Sequence, residues 1–394
     1  MTYRIRFNQP YIAGGEGVQA ARCLASGETS GDGAFSKECQ RLLCGAFGAR
    51  SVLLTTSCTS ALELAALLCD LEPGDEVILP SYTFVSTANA FLLRGATLKF
   101  VDVRPDTLNL DEQLVAAAAG PRTKVIVAVH YAGVACEMDS IRATADRHGA
   151  LVVEDAAQAV NATYKGSHLG TLAPLGAYSF HATKNFSCGE GGALVVNDAR
   201  LVERAEIMRE KGTNRSRFYR GQVDKYTWMD IGSSYVLSEI LAAVLLVQLE
   251  HMERITAERR RVYEHYHAAL APLAERGLLT LPTIPDGCGS NYHLFHVLTE
   301  NLARRTALIE HLKKAGIQAV FHYVPLHTSP MGGALGYRAG MLPVTESVSD
   351  RLLRLPLYPA LTEAQVDEVA GAVLSFFSAS SRSAQSRKSA GSFS

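Results

Sequence analysis

Apolar segments alternate with helix-forming segments between residues 51 and about 198, and this alternation is the strongest constraint on the fold. We predict strands over residues 76–80, 98–102, 124–129 and 151–153, with helices over 85–93, 110–119 and 138–148. Strands that alternate with helices in this way form a mainly parallel sheet covered by helices on both faces. The sequence therefore predicts an α/β fold in which the carboxyl ends of the strands share one edge of the sheet.

Lys184 lies between two short apolar segments, 177–180 and 193–196, that are also expected to be strands. A lysine held there is expected to be buried, and burial lowers a lysine pKa because the charged form loses its hydration. A neutral amine near pH 7 is the nucleophile that Schiff-base chemistry requires. A surface lysine in a loop is the alternative for this residue taken alone.

Two further segments favour the chemical interpretation. Asp155 ends the apolar segment 151–155, at the strand end where α/β sheets bind ligands. If the ligand is pyridoxal 5'-phosphate (PLP), Asp155 can keep the pyridine nitrogen protonated. Taken alone, Asp155 fits a helix N-cap better. Ser57, Cys58 and Thr59 begin a long apolar helix whose free amides and dipole suit a phosphate, although simple helix capping also explains them.

Composition excludes several other classes of protein. With 47% hydrophobic and 20% charged residues, the 394-residue chain can bury a large core. Its 38 basic residues against 39 acidic ones give no basic field for nucleic acid. No apolar run approaches the ~18 residues of a membrane span, and the first residues do not resemble a secretory signal. The eight cysteines lack paired spacing, so we expect no metal site, no disulfide framework and a cytoplasmic location.

The length favours one large domain and one smaller one. We predict a large ligand-binding domain over residues 1–250, which includes two N-terminal helices (16–25 and 35–47) around a tight turn at 30–33. A smaller C-terminal α+β domain is expected over 251–378, with strands at 293–299 and 319–323 and helices at 306–314 and 363–377. A long helix from 236 to about 270, ended by Pro272, would connect them. Residues 379–394 are rich in Ser, Ala, Arg and Lys, and are expected to be a disordered tail.

A polar segment after the helix predicted at 200–210 combines basic and aromatic side chains. Arg215, Arg220 and Tyr226 belong to it, and such a mixture can hold a diphosphate and stack a base. A solvated loop is an equally good interpretation. His327 is a weaker candidate for a substrate contact, and a structural histidine is the better interpretation of it from sequence alone.

Four motifs in the right order resemble a known family: 57–59, 81–87, 153–158 and 179–185. Over about residues 6–378 the chain resembles the PLP-dependent nucleotide-sugar aminotransferases of the DegT/DnrJ/StrS family, which have PLP fold type I. The segments 131–139, 211–216 and 221–228 are similar to the branch that aminates carbon 4 of dTDP-4-keto-6-deoxyglucose, as in bacterial surface-glycan synthesis.

The resemblance implies a role for each candidate site residue. Lys184 would bind PLP through an imine and shuttle the proton, and Asp155 would hold the ring nitrogen. Phe84 would stack on the ring and Gln158 would lie near its hydroxyl group. The phosphate would be bound by Ser57, Cys58, Thr59 and Ser179, with Ser234 of a partner subunit in place of an asparagine that many relatives carry.

The implied function is conversion of dTDP-4-keto-6-deoxy-D-glucose to a dTDP-4-amino-4,6-dideoxyhexose, with glutamate as amino donor, by a ping-pong PLP/PMP mechanism. The resemblance also implies a homodimer with shared active sites. The alternatives are a 3-keto-sugar aminotransferase, a sugar dehydratase of the same family, and a PLP-fold binding or regulatory protein without turnover. The dehydratases carry histidine where this chain has Lys184. Antibiotic deoxysugar and surface polysaccharide pathways, and axial and equatorial amine products, all remain open.

Overall fold

The computed structural model describes residues 3–390, with the backbone alone for 379–390. The strands are β1 (Ser51–Thr55), β2 (Glu76–Pro80), β3 (Thr97–Val101), β4 (Thr123–Val129), β5 (Leu151–Asp155), β6 (Thr163–Tyr164), β7 (Ser167–His168), β8 (Leu175–Ser179), β9 (Gly192–Val196), β10 (Cys288–Gly289), β11 (Phe295–Leu298) and β12 (Leu352–Leu355). The helices are α1 (Glu16–Ser26), α2 (Ala34–Phe47), α3 (Cys58–Leu68), α4 (Val85–Leu92), α5 (Glu112–Ala118), α6 (Met138–His148), α7 (Val202–Arg209), α8 (Arg215–Tyr219), α9 (Glu239–Glu250), α10 (Met252–Glu275), α11 (Leu302–Lys314), α12 (Pro330–Ala334), α13 (Pro343–Arg351) and α14 (Glu363–Ala390).

A seven-stranded sheet in the order β1-β9-β8-β5-β4-β2-β3 forms the centre of the molecule. Its strands run parallel except β9, which is antiparallel to both of its neighbours, β1 and β8. One face of the sheet packs against α2, α6 and α9, and the other against α3, α4 and α7. Burial on both faces explains why the strands are continuous apolar runs. The predicted mainly parallel α/β sheet is confirmed.

The C-terminal part has its own apolar cluster. Helices α10, α11 and α14 pack around the β11–β12 pair, and Ile5 joins them from the N-terminal segment. A further cluster connects this part to loops at the edge of the central sheet, through Tyr82 and Tyr131 on one side and Leu294 and Leu352 on the other. The chain passes between the two parts where α9 ends and α10 begins, and the division at residue 250 stays a prediction.

The long connector differs from its prediction. It is two helices, because the backbone at His251 leaves helical geometry (φ −106°, ψ 16°). Pro272 lies inside α10 and does not end it. A proline inside a helix costs one hydrogen bond, but Leu270 and Leu273 on either side are buried, and their packing holds the last turn in place.

One other local prediction also differs from the structure. The strand expected at 319–323 is reduced to a single bridge between Val320 and Arg354. Helix α14 continues to Ala390, and the disorder expected for residues 379–394 stays a prediction. Residues 391–394 of that tail lie outside the described residues. Among the helices of residues 3–390, none combines the length and apolar character needed to cross a membrane.

Candidate active site

A cavity of about 770 Å³ opens at the carboxyl edge of the central sheet, between the sheet and the C-terminal part. The predicted site residues that line it are Ser57, Cys58, Thr59, Phe84, Asp155, Gln158, Ser179 and Lys184. They come from segments that follow or end β1, β2, β5 and β8. Because parallel strands end at the same edge, residues up to about 130 positions apart in sequence meet in one place.

Lys184 lies on the loop between β8 and β9. Backbone bonds across this loop fix it: Phe180 N donates to Gly191 O (2.8 Å) and Ala182 N donates to Gly189 O (2.8 Å). The Lys184 side chain is half-buried and has no hydrogen-bond partner for Nζ within residues 3–390. Burial lowers the Lys184 pKa, against the opposing effects of Cys58 and Asp155. The neutral amine that imine formation needs is therefore favoured.

Asp155 is buried at the end of β5 and is held by two hydrogen bonds. Its Oδ2 accepts from Thr87 Oγ1 (2.7 Å) and its Oδ1 accepts from Ala157 N (3.1 Å). Since Thr87 uses its only proton on the carboxylate, Thr83 must be the donor in its 2.8 Å contact with Thr87. In the described part of the chain Asp155 has no ion-pair partner, so its carboxyl group is available to a ligand.

Gln158 is fixed from both ends of its amide. Its Oε1 accepts from Ala132 N (2.7 Å) and its Nε2 donates to Tyr323 Oη (2.8 Å). These partners determine which end of the amide is oxygen and which is nitrogen. Gln158 thus connects the edge of the central sheet to the C-terminal side of the cavity.

The start of α3 carries the groups that suit an anion. Ser57 caps the helix by accepting from Ser60 N (3.1 Å), and Thr59 Oγ1 contacts Ser86 Oγ (2.7 Å). Gly192, the first residue of β9, packs directly against this turn, and a Cβ atom there would lie 2.4 Å from Cys58 N. Only glycine allows this approach. Free amides and hydroxyl groups at a helix start bind phosphate well.

Other predicted site residues lie outside the cavity lining. Arg215 pairs with Glu210 (3.2 Å), and Arg220 pairs with Glu206 (2.7 Å). Tyr226 and Ser234 are exposed on the same segment. Roles for Arg215, Arg220, Tyr226 and Ser234 in substrate or partner binding stay predictions.

The structure corrects the candidate substrate contact at His327, because it gives this residue a structural position. Its ring is fully buried and does not line the cavity. His327 N donates to Ser81 Oγ (3.0 Å), Ser81 Oγ contacts Nδ1 (2.7 Å), and Nε2 contacts Glu346 (2.9 Å). The ring therefore ties the segment after β2 to α13, and no surface of it is left for a substrate.

No role was predicted for the residues that line the C-terminal side of the cavity: Arg259, His293, His322, Tyr323 and Arg354. Burial lowers the pKa of His293 and His322 well below the ordinary value, so both rings are neutral. The His322 ring stacks on Tyr323 at 3.8 Å between centroids. His322 and Tyr323 belong to the segment 322–327, which the resemblance to the family placed near the active site. No feature of the sequence pointed to Arg259 or Arg354.

Comparison with known proteins identifies the family. Residues 12–374 match the model of the DegT/DnrJ/EryC1/StrS aminotransferase family. The chain belongs to this family. A relative from Geobacillus stearothermophilus, described as a pleiotropic regulatory protein, is 36% identical over 321 residues, which is 81% of this chain and 83% of the relative.

Solved structures of the family agree with this fold over nearly the whole chain. The aminotransferase TlmJ from Streptoalloteichus hindustanus is 32% identical, with a TM-score of 0.87, covering 96% of this chain and 100% of TlmJ. A proposed sugar aminotransferase from Streptococcus pneumoniae, solved in its PLP form, is 26% identical with a TM-score of 0.88, covering 96% and 99% of the two chains. The chain is thus a PLP-dependent aminotransferase of this family.

The residues around the cavity fit PLP. Lys184 offers an amine of lowered pKa, Asp155 a buried carboxylate without a counter-ion in the described residues, and the glycine-lined turn at α3 a place for the phosphate. When bound, PLP supplies an electron sink that stabilises negative charge at the carbon losing its proton. Lys184, Asp155, Gln158, Ser179 and the start of α3 are the groups that would hold it.

Proposed function

We propose that the protein transfers an amino group from glutamate to carbon 4 of dTDP-4-keto-6-deoxy-D-glucose, forming a dTDP-4-amino-4,6-dideoxyhexose. The observation that carries the proposal is Lys184, an amine of lowered pKa in the same cavity as the buried carboxylate of Asp155. The nucleotide-sugar substrate is supported by the family and by the resemblance of residues 131–139, 211–216 and 221–228 to the branch that aminates carbon 4.

The chain's own residues would divide the work. The free Lys184 amine would carry a proton between the cofactor and the sugar carbon that receives the amino group. Asp155, held by Thr87, keeps its negative charge beside the cofactor ring. Phe84, which is 56% exposed beside the cavity, can cover the ring and limit the entry of water.

A homodimer is part of the proposal. The segment that holds Arg215, Arg220, Tyr226 and Ser234 also exposes Trp228 (80%), and exposed aromatic side chains suit a protein interface. We propose that this segment contacts the partner subunit and completes its site. Sedimentation should show a dimer, and a fully active monomer would contradict this part.

One assay tests the reaction directly. The enzyme is incubated with glutamate and dTDP-4-keto-6-deoxy-D-glucose, and ring couplings in the NMR spectrum identify the position and orientation of the new amine. A parallel incubation with the 3-keto isomer tests amination at carbon 3. Product from the 3-keto isomer alone would replace the proposed substrate.

A regulatory protein without turnover is the second candidate, because the relative from Geobacillus stearothermophilus is described as a pleiotropic regulatory protein. The free Lys184 amine favours turnover, and it also disfavours a dehydratase of the same family. Absence of product with both keto sugars, while glutamate leaves the cofactor spectrum unchanged, would favour the regulatory alternative.

A further inference from the structure

Two arginines that line the cavity, Arg259 and Arg354, have no acidic partner within residues 3–390. Other arginines, such as Arg104, Arg204 and Arg220, form an ion pair with a carboxylate. Arg259 and Arg354 instead donate only to backbone carbonyl groups. A poorly solvated guanidinium that faces a cavity without a counter-ion is stabilised when an anion binds to it.

Arg354 is held in place and still has donors to spare. Its Nε and Nη2 donate to Phe321 O (3.3 and 2.9 Å), and its guanidinium lies 4.7 Å from the centroid of the Phe7 ring. A guanidinium carries five N–H donors, and Nη1 has no bond to any residue in 3–390. The aromatic ring and the carbonyl group orient this free edge, and Arg354 lines the cavity.

Arg259 adds a second positive charge on the same side. It is 3% exposed, and it donates to Tyr292 O (3.0 Å), His293 O and Leu357 O (3.4 Å). Burial lowers the Arg259 pKa to about 9, as expected for a buried cation with no carboxylate beside it.

The charges of the cavity leave these two arginines unmatched. Its acidic lining residues are Asp155 and Glu190. Asp155 serves the cofactor ring, and Glu190 is mostly exposed and lies 3.6 Å from His181. The start of α3 serves the cofactor phosphate. A further anionic group on the substrate is therefore needed to balance the C-terminal side.

We propose that Arg354, with Arg259 adding positive charge, binds a carboxylate of the amino donor. The inference rests on the proposed aminotransferase function and names the donor subsite within it. An amino acid carries its α-carboxylate on the carbon that bears the reacting amine, so its binding group must lie near Lys184. Arg354 is close enough to act electrostatically on both Lys184 and His293. The diphosphate of a nucleotide sugar is a less suitable ligand, since a whole sugar ring separates it from the reacting carbon.

The test measures binding by the PLP-loaded protein with an unreactive probe. Glutarate has the carboxylates of glutamate but no amine, and calorimetry gives its Kd; dTDP tests the phosphate alternative. The variants are Arg354→Gln, Arg354→Lys and the control Arg351→Gln, whose side chain donates to Thr299 O (2.7 Å) and does not line the cavity. We expect Arg354→Gln to raise the glutarate Kd at least tenfold while the dTDP Kd changes less than twofold. Arg354→Lys should lie between, because it keeps the charge and loses the fork.

Three results would overturn the subsite: no glutarate binding by the unaltered protein, an unchanged Kd in folded Arg354→Gln, or a loss of dTDP binding as large as the loss of glutarate binding. If Arg354→Gln does not fold, Arg354→Lys decides, with an unchanged Kd counting against the proposal. Both probes are used without a keto sugar. A failure to aminate dTDP-4-keto-6-deoxy-D-glucose would thus sink the proposed reaction and leave the glutarate result intact.

Discussion

Thr87 on α4 donates a 2.7 Å hydrogen bond to Asp155 at the end of β5. The helix that follows β2 therefore orients the carboxylate that we propose faces the cofactor ring. Thr87 is 1% exposed and Asp155 is 5% exposed, so the bond is largely shielded from bulk water.

Thr87→Val keeps the shape of the side chain and removes this bond. Hydrogen bonds to a charged group contribute about 1.5–3 kcal/mol, so we expect the PLP Kd to rise roughly tenfold or more. Titration of the apoprotein with PLP, followed by absorbance, measures it. Thr83→Val is the matched control and should have a smaller effect, because Thr83 reaches Asp155 only through Thr87. Equal effects of the two variants would contradict this account.

Attachment of PLP should depend on pH through Lys184. The reactive amine is the deprotonated form, and the Lys184 pKa is lowered from its ordinary value by burial. The attachment rate should rise with pH and reach its plateau below 10.5, the ordinary lysine value. Arg354 also lowers this pKa, so Arg354→Gln should move the curve to higher pH. Stopped-flow absorbance measures both curves, and a rate that still climbs above pH 10.5 would be inconsistent with a buried amine.

Lys184→Ala should abolish the absorbance of the covalent lysine–cofactor bond. Removal of a positioned acid–base group lowers a rate by about 10²–10⁴-fold. We expect a loss of this size in the rate at which the variant, supplied with PLP, reacts with glutamate. Lys165→Ala is the control, because Lys165 forms an exposed ion pair with Asp139. Persistence of the covalent absorbance in Lys184→Ala would refute the assignment.

Gly192→Ala should damage the anion site more than the fold. Its methyl group would meet Ser57 and Cys58 at the start of α3, and we expect the PLP Kd to rise by at least tenfold. In Gly45→Ala, an added Cβ has no neighbour within 4 Å, so this helical control should be neutral or stabilising by about 0.5–1 kcal/mol. PLP titration and denaturant unfolding measure the two effects. Normal PLP affinity in Gly192→Ala would show that the turn tolerates displacement.

Acid should destabilise the protein through buried neutral histidines. Burial, with Arg354 adding to it, lowers the pKa of His296 to about 3 from the ordinary 6.5. The unfolded chain thus binds a proton below pH 6.5 that the folded chain does not, and stability falls as the pH falls. Between pH 7.5 and 5.5 this histidine alone should remove about 1.4 kcal/mol from the free energy of unfolding. Urea unfolding of His296→Gln should show a pH dependence smaller by that amount, while the exposed-site control His148→Gln should match the unaltered protein.

The sequence allowed the sheet and the sheet side of the cavity to be predicted. Lys184 and Asp155 were identifiable because each follows a buried apolar strand, and parallel strands end at one edge. Ser57 and Thr59 were identifiable from the helix start that follows β1, whereas the role of Ser179 was implied only by the resemblance to the family.

The C-terminal side could not be predicted in this way. Arg259 lies in the charged half of α10 and Arg354 on the short strand β12, and their meeting with Lys184 depends on how the two parts pack. For His327 the structure agrees with the interpretation that the sequence favoured, a structural histidine, because Ser81 and Glu346 occupy its two ring nitrogens. The prediction that Pro272 ends its helix was wrong, because the packing of Leu270 and Leu273 outweighs the tendency of proline to end a helix.

The position of β9 between β1 and β8 has a consequence for biosynthesis. Thr55 has its partner in Gly192, so the turn that we propose binds phosphate emerges from the ribosome long before the strand that supports it. The donor subsite comes later still, with Arg354 on β12. A nascent chain must therefore keep its earliest-made cofactor contacts unsupported until most of the protein has been translated, and cofactor capture has to be a late event.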